Sequence, residues 1–282
     1  MVGTLSAPVS IGEEHLRRLG LTTEVGTDLK DEKLKTIADL VISAHAPWHL
    51  VPGKVRSNIA ATDDEHRRAS IEQVAQYIRE LHKFPRVKKV VMHPGAKQIF
   101  RPEQEVGQWG TYERLIEAIQ ELGDVASACG LKLVMENNLA FWETVPEETP
   151  PEEADRSQEN DFFGTTPEEW FRICEDVGRP SVLLCLDSSH SSAYGHLFSD
   201  YGKRLDIMMA YMAKPEYIDH VHWSDGYLYD VRGRKDCHLS VGKGTIPKAF
   251  HQEVKRLKAT LLLEHFHSIA ELEEELAFVA AL

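Results

Sequence analysis

The sequence is poor in cysteine, and its four (Cys129, Cys174, Cys185 and Cys237) form no CxxC pair. That argues against a disulfide framework or a thiolate metal site. Three of the four fall in segments that read as helix or strand. Reduced thiols in a cytoplasm are therefore expected. Long apolar runs are missing: no stretch approaches the roughly 20 residues of a membrane span. The opening MVGTLSAPVS has neither a basic n-region nor a long apolar core, so no signal peptide is read. Positive charge is short as well, with 32 Lys and Arg against 45 Asp and Glu and a net charge of -13. A broad nucleic-acid face is disfavoured, since such faces neutralise several phosphates with Lys and Arg. A bound metal cluster or a local basic patch can still reverse the field at one point.

What is present is enough for a sizeable core. Of 282 residues, 42% are apolar, and the mean hydropathy is -0.34. Short runs rich in Val, Ile or Leu recur along the chain: Val2–Ser6, Thr22–Gly26, Val41–Ala46, Lys89–Pro94, Leu131–Asn137, Val182–Ser188, His220–Asp225 and Thr260–Phe266. Such runs suit strands buried on both faces. Helical patterns lie between them, at Glu65–Leu81, Tyr112–Ala128 and Pro167–Val177, and Ile269–Ala280 closes the chain. Thr166 with Glu169 three residues on has the form of a capping box. Eight strands alternating with helices, about 35 residues per unit, is the arithmetic of a (β/α)8 TIM barrel. A single domain over 1–282 is expected, with a reduced helix in its short first unit. One segment stands apart, Trp142–Asp161, rich in Pro and Glu after the fifth strand. It reads as a solvated mobile loop or, since loops after barrel strands lie on the catalytic face, as a lid.

Polar residues collect at one end of the strands. The third run ends at His45, the fourth at His93 and the fifth at Glu136. The sixth ends at Asp187 with His190 three residues on, the seventh at His222 and the eighth at Glu264. Asp236 and His238 follow in the loop after the seventh. Barrel active sites form at strand C-termini. Buried unpaired carboxylates are costly, so a cation must compensate them. His and carboxylate donors without thiolate suit Zn2+, Mn2+ or Co2+. Nine donors exceed the shell of one ion, so either two or three metals bind or the surplus residues touch substrate.

At these residues the sequence resembles a known family. VVMHPG, LVMENN, LLCLDSSH, HVHWSD, DCHLSVGKG and LLLEHF look like the xylose isomerase-like TIM-barrel superfamily. That superfamily includes sugar isomerases and epimerases, and also endonuclease IV, the family-2 AP endonuclease. The resemblance covers nearly the whole chain and implies two alternatives. In the epimerase branch one divalent ion is held by Glu136, Asp187, His222 and Glu264. The two glutamates then move protons beside a metal-polarised carbonyl, and His190 contacts a substrate hydroxyl. In the endonuclease IV branch three zinc ions are held by nine ligands. All nine have counterparts here: His45, His93, Glu136, Asp187, His190, His222, Asp236, His238 and Glu264.

The departures favour a small sugar or sugar phosphate. The nuclease has a long DNA-recognition loop after strand two. This chain reads TTEVGTD and passes into an expected helix at Lys30–Asp39, with Glu24 resembling the strand-two acid of sugar isomerases. The nuclease's Tyr and Asn after the strand-three His become HAPWHLVPG, with Trp48. Its DTCH and aromatic-Ala-Ala run becomes DSSHSSAYG, and its Asn-Asp-Ser-Lys becomes HWSDGYLYD. Glu24, Trp48, Arg232 and Arg234 are the candidate substrate contacts; Arg232, Arg234 and Lys235 otherwise read as a solvated loop. Trp223 reads equally as sugar-stacking or packing. His220 should point into the barrel interior, and His265 and His267 line the mouth. Nucleic acid is a partner only under the second alternative, and homo-oligomerisation stays open.

Overall fold

The apolar runs become strands because both of their faces are covered, by the barrel interior on one side and by helices on the other. The computed structural model describes residues 4–30, 32–50, 55–100 and 107–282. In chain order the strands are β1 (Leu5–Pro8), β2 (Thr22–Val25), β3 (Val41–His45), β4 (Lys89–Met92), β5 (Ala96–Gln98), β6 (Lys132–Glu136), β7 (Asp161–Phe162), β8 (Val182–Asp187), β9 (Ile218–Trp223) and β10 (Thr260–Leu263). Eight of them close a barrel in the order β1-β2-β3-β4-β6-β8-β9-β10 and back to β1. Every neighbour in it is parallel. The strands β5 and β7 form a separate antiparallel ribbon. This is the (β/α)8 architecture expected.

The helices are α1 (Glu13–Leu19), α2 (Asp64–Glu80), α3 (Tyr112–Ala128), α4 (Pro167–Val177), α5 (Ser188–Gly195), α6 (Tyr201–Ala210), α7 (Lys248–Arg256) and α8 (Ile269–Ala280). The first is short, as its unit required. In α3, Leu115, Ala118, Ile119, Leu122 and Ala126 are buried, a stripe at helical spacing that faces the barrel wall. Side-chain caps from Asp63, Thr111, Thr166 and Ser268 open four helices. The box before α4 is only half formed. Thr166 accepts from the Glu169 N–H at 3.1 Å, but the Glu169 carboxylate accepts from Gly164 N–H at 2.9 Å.

Three expectations need correction. No α-helix spans Lys30–Asp39. A 3-10 turn at Glu32–Lys35 and turns to Leu40 stand there, with Asp31 outside the described residues. Only Leu34 and Ile37 are buried within Glu32–Asp39, too few for a helical stripe, and Arg17 holds the Thr36 carbonyl and the Asp39 carboxylate. The first strand is described over Leu5–Pro8, two residues past the expected end at Ser6, and Val2 and Gly3 of the expected run Val2–Ser6 lie outside the described residues. The segment 142–161 is anchored rather than free. Glu159 accepts from the N–H and hydroxyl of Thr144, Arg156 donates to Phe141 O, and Arg234 donates to the carbonyls of Pro146, Glu147 and Thr149.

Inside the barrel, Val91, Val134 and Cys185 pack together with Leu183. Towards the bottom, Asp219 pairs with Lys89 at 2.7 Å and Lys132 at 2.8 Å. Apolar plug and ion pairs close that end, and the open mouth lies at the other.

Candidate metal centre

Strand alternation raises the site out of the plug. Successive side chains change faces, so a residue two beyond an inward one is inward again, one layer higher. His93 stands two beyond Val91, Glu136 two beyond Val134, Asp187 two beyond Cys185, and His222 two beyond His220. Pairing of Asp187 with His222 across β8 and β9 levels the two. The Asn137 side chain then ties the end of β6 to that of β8: its amide donates to Asp187 O at 3.0 Å and accepts from Asp187 N–H at 2.6 Å. Ser188 likewise bridges to β9, donating to Ser224 O at 2.8 Å and accepting from Ser224 N–H at 2.9 Å.

The nine donors converge at the mouth. Three groups have ligand atoms within 4.8 Å of one another: His45, His93 and Glu136; Glu136, Asp187, His222 and Glu264; and Asp187, His190 and His238. Asp236 joins the third, with Oδ2 at 2.8 Å from His238 Nε2 and 3.5 Å from His190 Nε2. Ser189 holds its other oxygen at 2.6 Å. Glu136 belongs to two groups, and so does Asp187. His238 is the only non-glycine among the described residues with a left-handed backbone, φ +40°, a strained conformation of the kind found at functional sites. A fourth cluster joins His222 to Cys185 and His220 one layer down, where the His220 nitrogens are taken by Thr260 and Glu24.

The donor set fits a divalent cation on the chemistry of its imidazoles. A neutral imidazole has one N–H. His45 has Nδ1 at 2.9 Å from Ala46 O and Nε2 at 3.2 Å from Glu136. His190 has Nδ1 at 2.7 Å from Asn137 O and Nε2 towards Asp236. His222 has Nε2 at 3.1 Å from Glu24 and Nδ1 at 3.0 Å from Glu136 and 3.1 Å from Glu264. Each ring thus has acceptors at both nitrogens. A second proton or a cation must lie on one side. Asp187 Oδ2, His93 Nδ1 and His238 Nδ1 are buried without a hydrogen-bond partner, which points the same way.

The protonation energetics show the strain of that arrangement without a cation. Burial, with Glu264 and Glu136 adding to it, pushes Asp187 up to about 8. Burial opposes charge on His238, but Asp236, Glu264 and Asp187 raise it to about 10. Burial opposes charge on Glu136 too, yet the imidazoles of His93, His222 and His45 hold it well below the usual carboxylate range. Burial lowers His93 to about 4.

The other expected residues have varied places. Glu24 is buried, with its two oxygens on His220 and His222, so it braces a donor where it lines the mouth. Trp48 is 47% exposed beside the donors and stacks on His93 at 5.7 Å. Trp223 is fully buried and donates to His251, which excludes sugar stacking. Arg232 is engaged by Asp230 at 2.8 Å and lies over Tyr227. Arg234 faces the carbonyls of the acidic segment. His265 is buried on Glu275 at 2.9 Å. Asn137, Ser188 and Ser189 were not singled out in sequence, although each adjoins a donor in LVMENN or LLCLDSSH.

A sequence profile described as xylose isomerase-like TIM barrel matches residues 21–282. The chain belongs to that family. Among curated proteins no sequence matches this family member. Solved structures share its fold. A D-tagatose 3-epimerase-like protein superposes with TM-score 0.66 at 18% identity, over 99% of this chain and 98% of that one. A 3-keto-D-glucoside 4-epimerase from E. coli gives 0.63 at 14% identity, over 99% and 100%. A D-psicose 3-epimerase determined in the presence of D-fructose gives 0.63 at 16%, over 99% and 97%.

Proposed function

We propose that this protein is a divalent-metal-dependent isomerase or epimerase acting on a small sugar or sugar phosphate. The observation that carries the reading is the four-donor group Glu136, Asp187, His222 and Glu264. Its members come from four successive barrel positions, β6, β8, β9 and the end of β10, so the two glutamates stand at the ends of the arc. The names of the solved structures above, all sugar epimerases or their likes, support it. A cation held there would act as a Lewis acid on the substrate oxygens. Glu136 and Glu264 would move the proton at the neighbouring carbon, one on each side. Glu264 is the more open, its side chain 29% exposed against 2% for Glu136, and is the better placed to take the proton first. His190, fixed by Asn137 O, would hold a substrate hydroxyl through Nε2.

The test is deuterium exchange at the substrate carbon in D2O, with Mn2+, Co2+ or Zn2+ supplied. Glu136→Gln and Glu264→Gln should each slow exchange by about 100- to 10,000-fold, the usual range for a lost acid or base. Undiminished exchange in both variants would sink the reading.

A second reading rests on the two other donor groups, His45–His93–Glu136 and Asp187–His190–His238, which together with the first and with Asp236 beside His190 and His238 use all nine donors. It is an endonuclease IV-like phosphodiesterase with three metal ions. It predicts chelator-sensitive incision of an abasic-site duplex, and no incision with any of the three metals removes it. The rim speaks for the smaller substrate: Arg232 pairs with Asp230 and Lys235 with Glu147, so each cation has a carboxylate beside it that a phosphate backbone would also meet.

A further inference from the structure

The mouth has two lobes, and only one is accounted for by a sugar on the donors. The first, about 580 Å3, lies over the donors and reaches Glu24, Leu262 and Phe266. The second, about 620 Å3, runs outward between the acidic segment and the loop after β9. The lobes meet at Trp48, His93, His190 and Asp236, which line both. Small-ligand pockets hold roughly 300–1,000 Å3, so each lobe alone is large enough for a ring-sized group.

From this continuity we infer that the substrate is bipartite, a sugar on the donors joined to a neutral ring, glycosyl or aryl, in the second lobe. The inference rests on the isomerase or epimerase reading and names its substrate class. Three observations carry it. The far wall is largely carbon, with Leu139, Phe141, Trp142, Val145 and Val231 along it, and flat rings with an apolar face pack on such walls. The three cations lining that lobe are engaged already: the Arg234 guanidinium is on three carbonyls, Lys235 is on Glu147, and Arg56 lies over the Trp48 and Phe162 rings. An anionic tail would also meet the carboxylates of Glu143 and Glu147, which line the lobe. Trp48, large and half open at the neck, would be covered by the linked pair.

The experiment measures binding to the metal-loaded Glu264→Gln protein, which removes turnover from the signal. Intrinsic tryptophan fluorescence is titrated with free hexoses, their p-nitrophenyl glycosides, their glucosyl disaccharides and their 6-phosphates. For the hexoses bound, at least one ring-bearing form should bind ten or more times as tightly as the free sugar, and the phosphate no more tightly. Leu139→Trp, which fills the lobe, and Phe141→Ala, which removes wall without adding bulk, should each pull that ratio towards one. The aryl and disaccharide arms tell the two ring types apart. Equal or weaker binding of every ring-bearing form overturns the inference, and so does a ratio that neither variant moves. Ring preference without proton exchange, in the active protein, on the disaccharides that keep a free carbonyl would fault the reaction class and leave the lobe assigned. Exchange on free sugars without ring preference would fault this inference alone.

Discussion

Glu24 places one oxygen on His222 and the other on His220, and that double contact sets which His222 nitrogen faces the site. With Nε2–H given to the carboxylate, Nδ1 is left bare towards Glu136 and Glu264. Carboxylates behind metal-facing imidazoles fix the tautomer and raise ligand basicity, and losing one typically costs 10- to 100-fold in affinity. Glu24→Gln should therefore weaken metal binding by about 10- to 100-fold in a chelator competition, a readout independent of turnover. Unchanged affinity would show that the barrel wall alone orients the ring. In sequence Glu24 read as a substrate contact, because nothing local reveals that barrel closure brings β2 against His222, 198 residues away. His196, outside the site, offers a test of pH. Burial and Arg204 lower it to about 4, while the unfolded imidazole titrates near 6.5. Between those values the unfolded chain binds the extra proton, so stability rises with pH. The contribution is whole above about pH 6.5 and is lost as pH falls towards 4, about 3 kcal/mol in all at 1.36 kcal/mol per unit. His196→Gln should flatten that part of the acid limb in urea unfolding measured from pH 7 to 4. An identical limb would sink the assignment.

Between elements, the joint at the end of β6 matters most for the site. Asn137 is fully buried, and its amide completes both backbone groups of Asp187 while its carbonyl holds His190. Asn137→Ala leaves the Asp187 N–H and C=O without that partner in a dry place. At about 1–3 kcal/mol per unsatisfied group, the loss should be about 2–6 kcal/mol by urea denaturation. A loss below 1 kcal/mol would mean water or a shifted backbone replaces the amide. The elements themselves were legible because apolar runs and 3.6-period stripes are local signals. The helices at Tyr112, Pro167 and Ile269 fall where the periodicity puts them. The convergence of His45 through Glu264 was legible for a related reason, since parallel strands of a barrel end on one face. What stayed hidden depends on contacts distant in sequence. The stretch after β2 carries helix-forming Lys and Glu but little to bury, so it settles into a turn. The acidic segment 142–161 has a composition of solvated loops, and only Arg234 and Glu159, at distance, show what anchors it.

On the scale of the whole molecule, the charge balance meets the site. A chain at -13 gathers four of its carboxylates, Glu136, Asp187, Asp236 and Glu264, at the mouth of one barrel, and imidazolium rings offset them only where protonated. Divalent ions would offset them at any neutral pH, leaving four ionised carboxylates at minus two with one ion and at plus two with three. An ion that binds the folded chain and not the unfolded one stabilises it by about 2.7 kcal/mol at a hundred times its Kd. For a chain of this size each kcal/mol moves Tm by roughly 2–4 °C, so chelation of the loaded protein should lower Tm by about 5–10 °C. The titration back is the discriminating half of the experiment. If only Glu136, Asp187, His222 and Glu264 hold an ion, Tm reaches its plateau at one equivalent. If the groups around His93 and His190 are also filled, it climbs until three. Chelation that leaves Tm unchanged would sink metal dependence altogether. The imidazoles would then be satisfied by protons, and stability would fall as pH rises from 7 to 9, because folded His238, raised to about 10, keeps a proton that the unfolded chain has released.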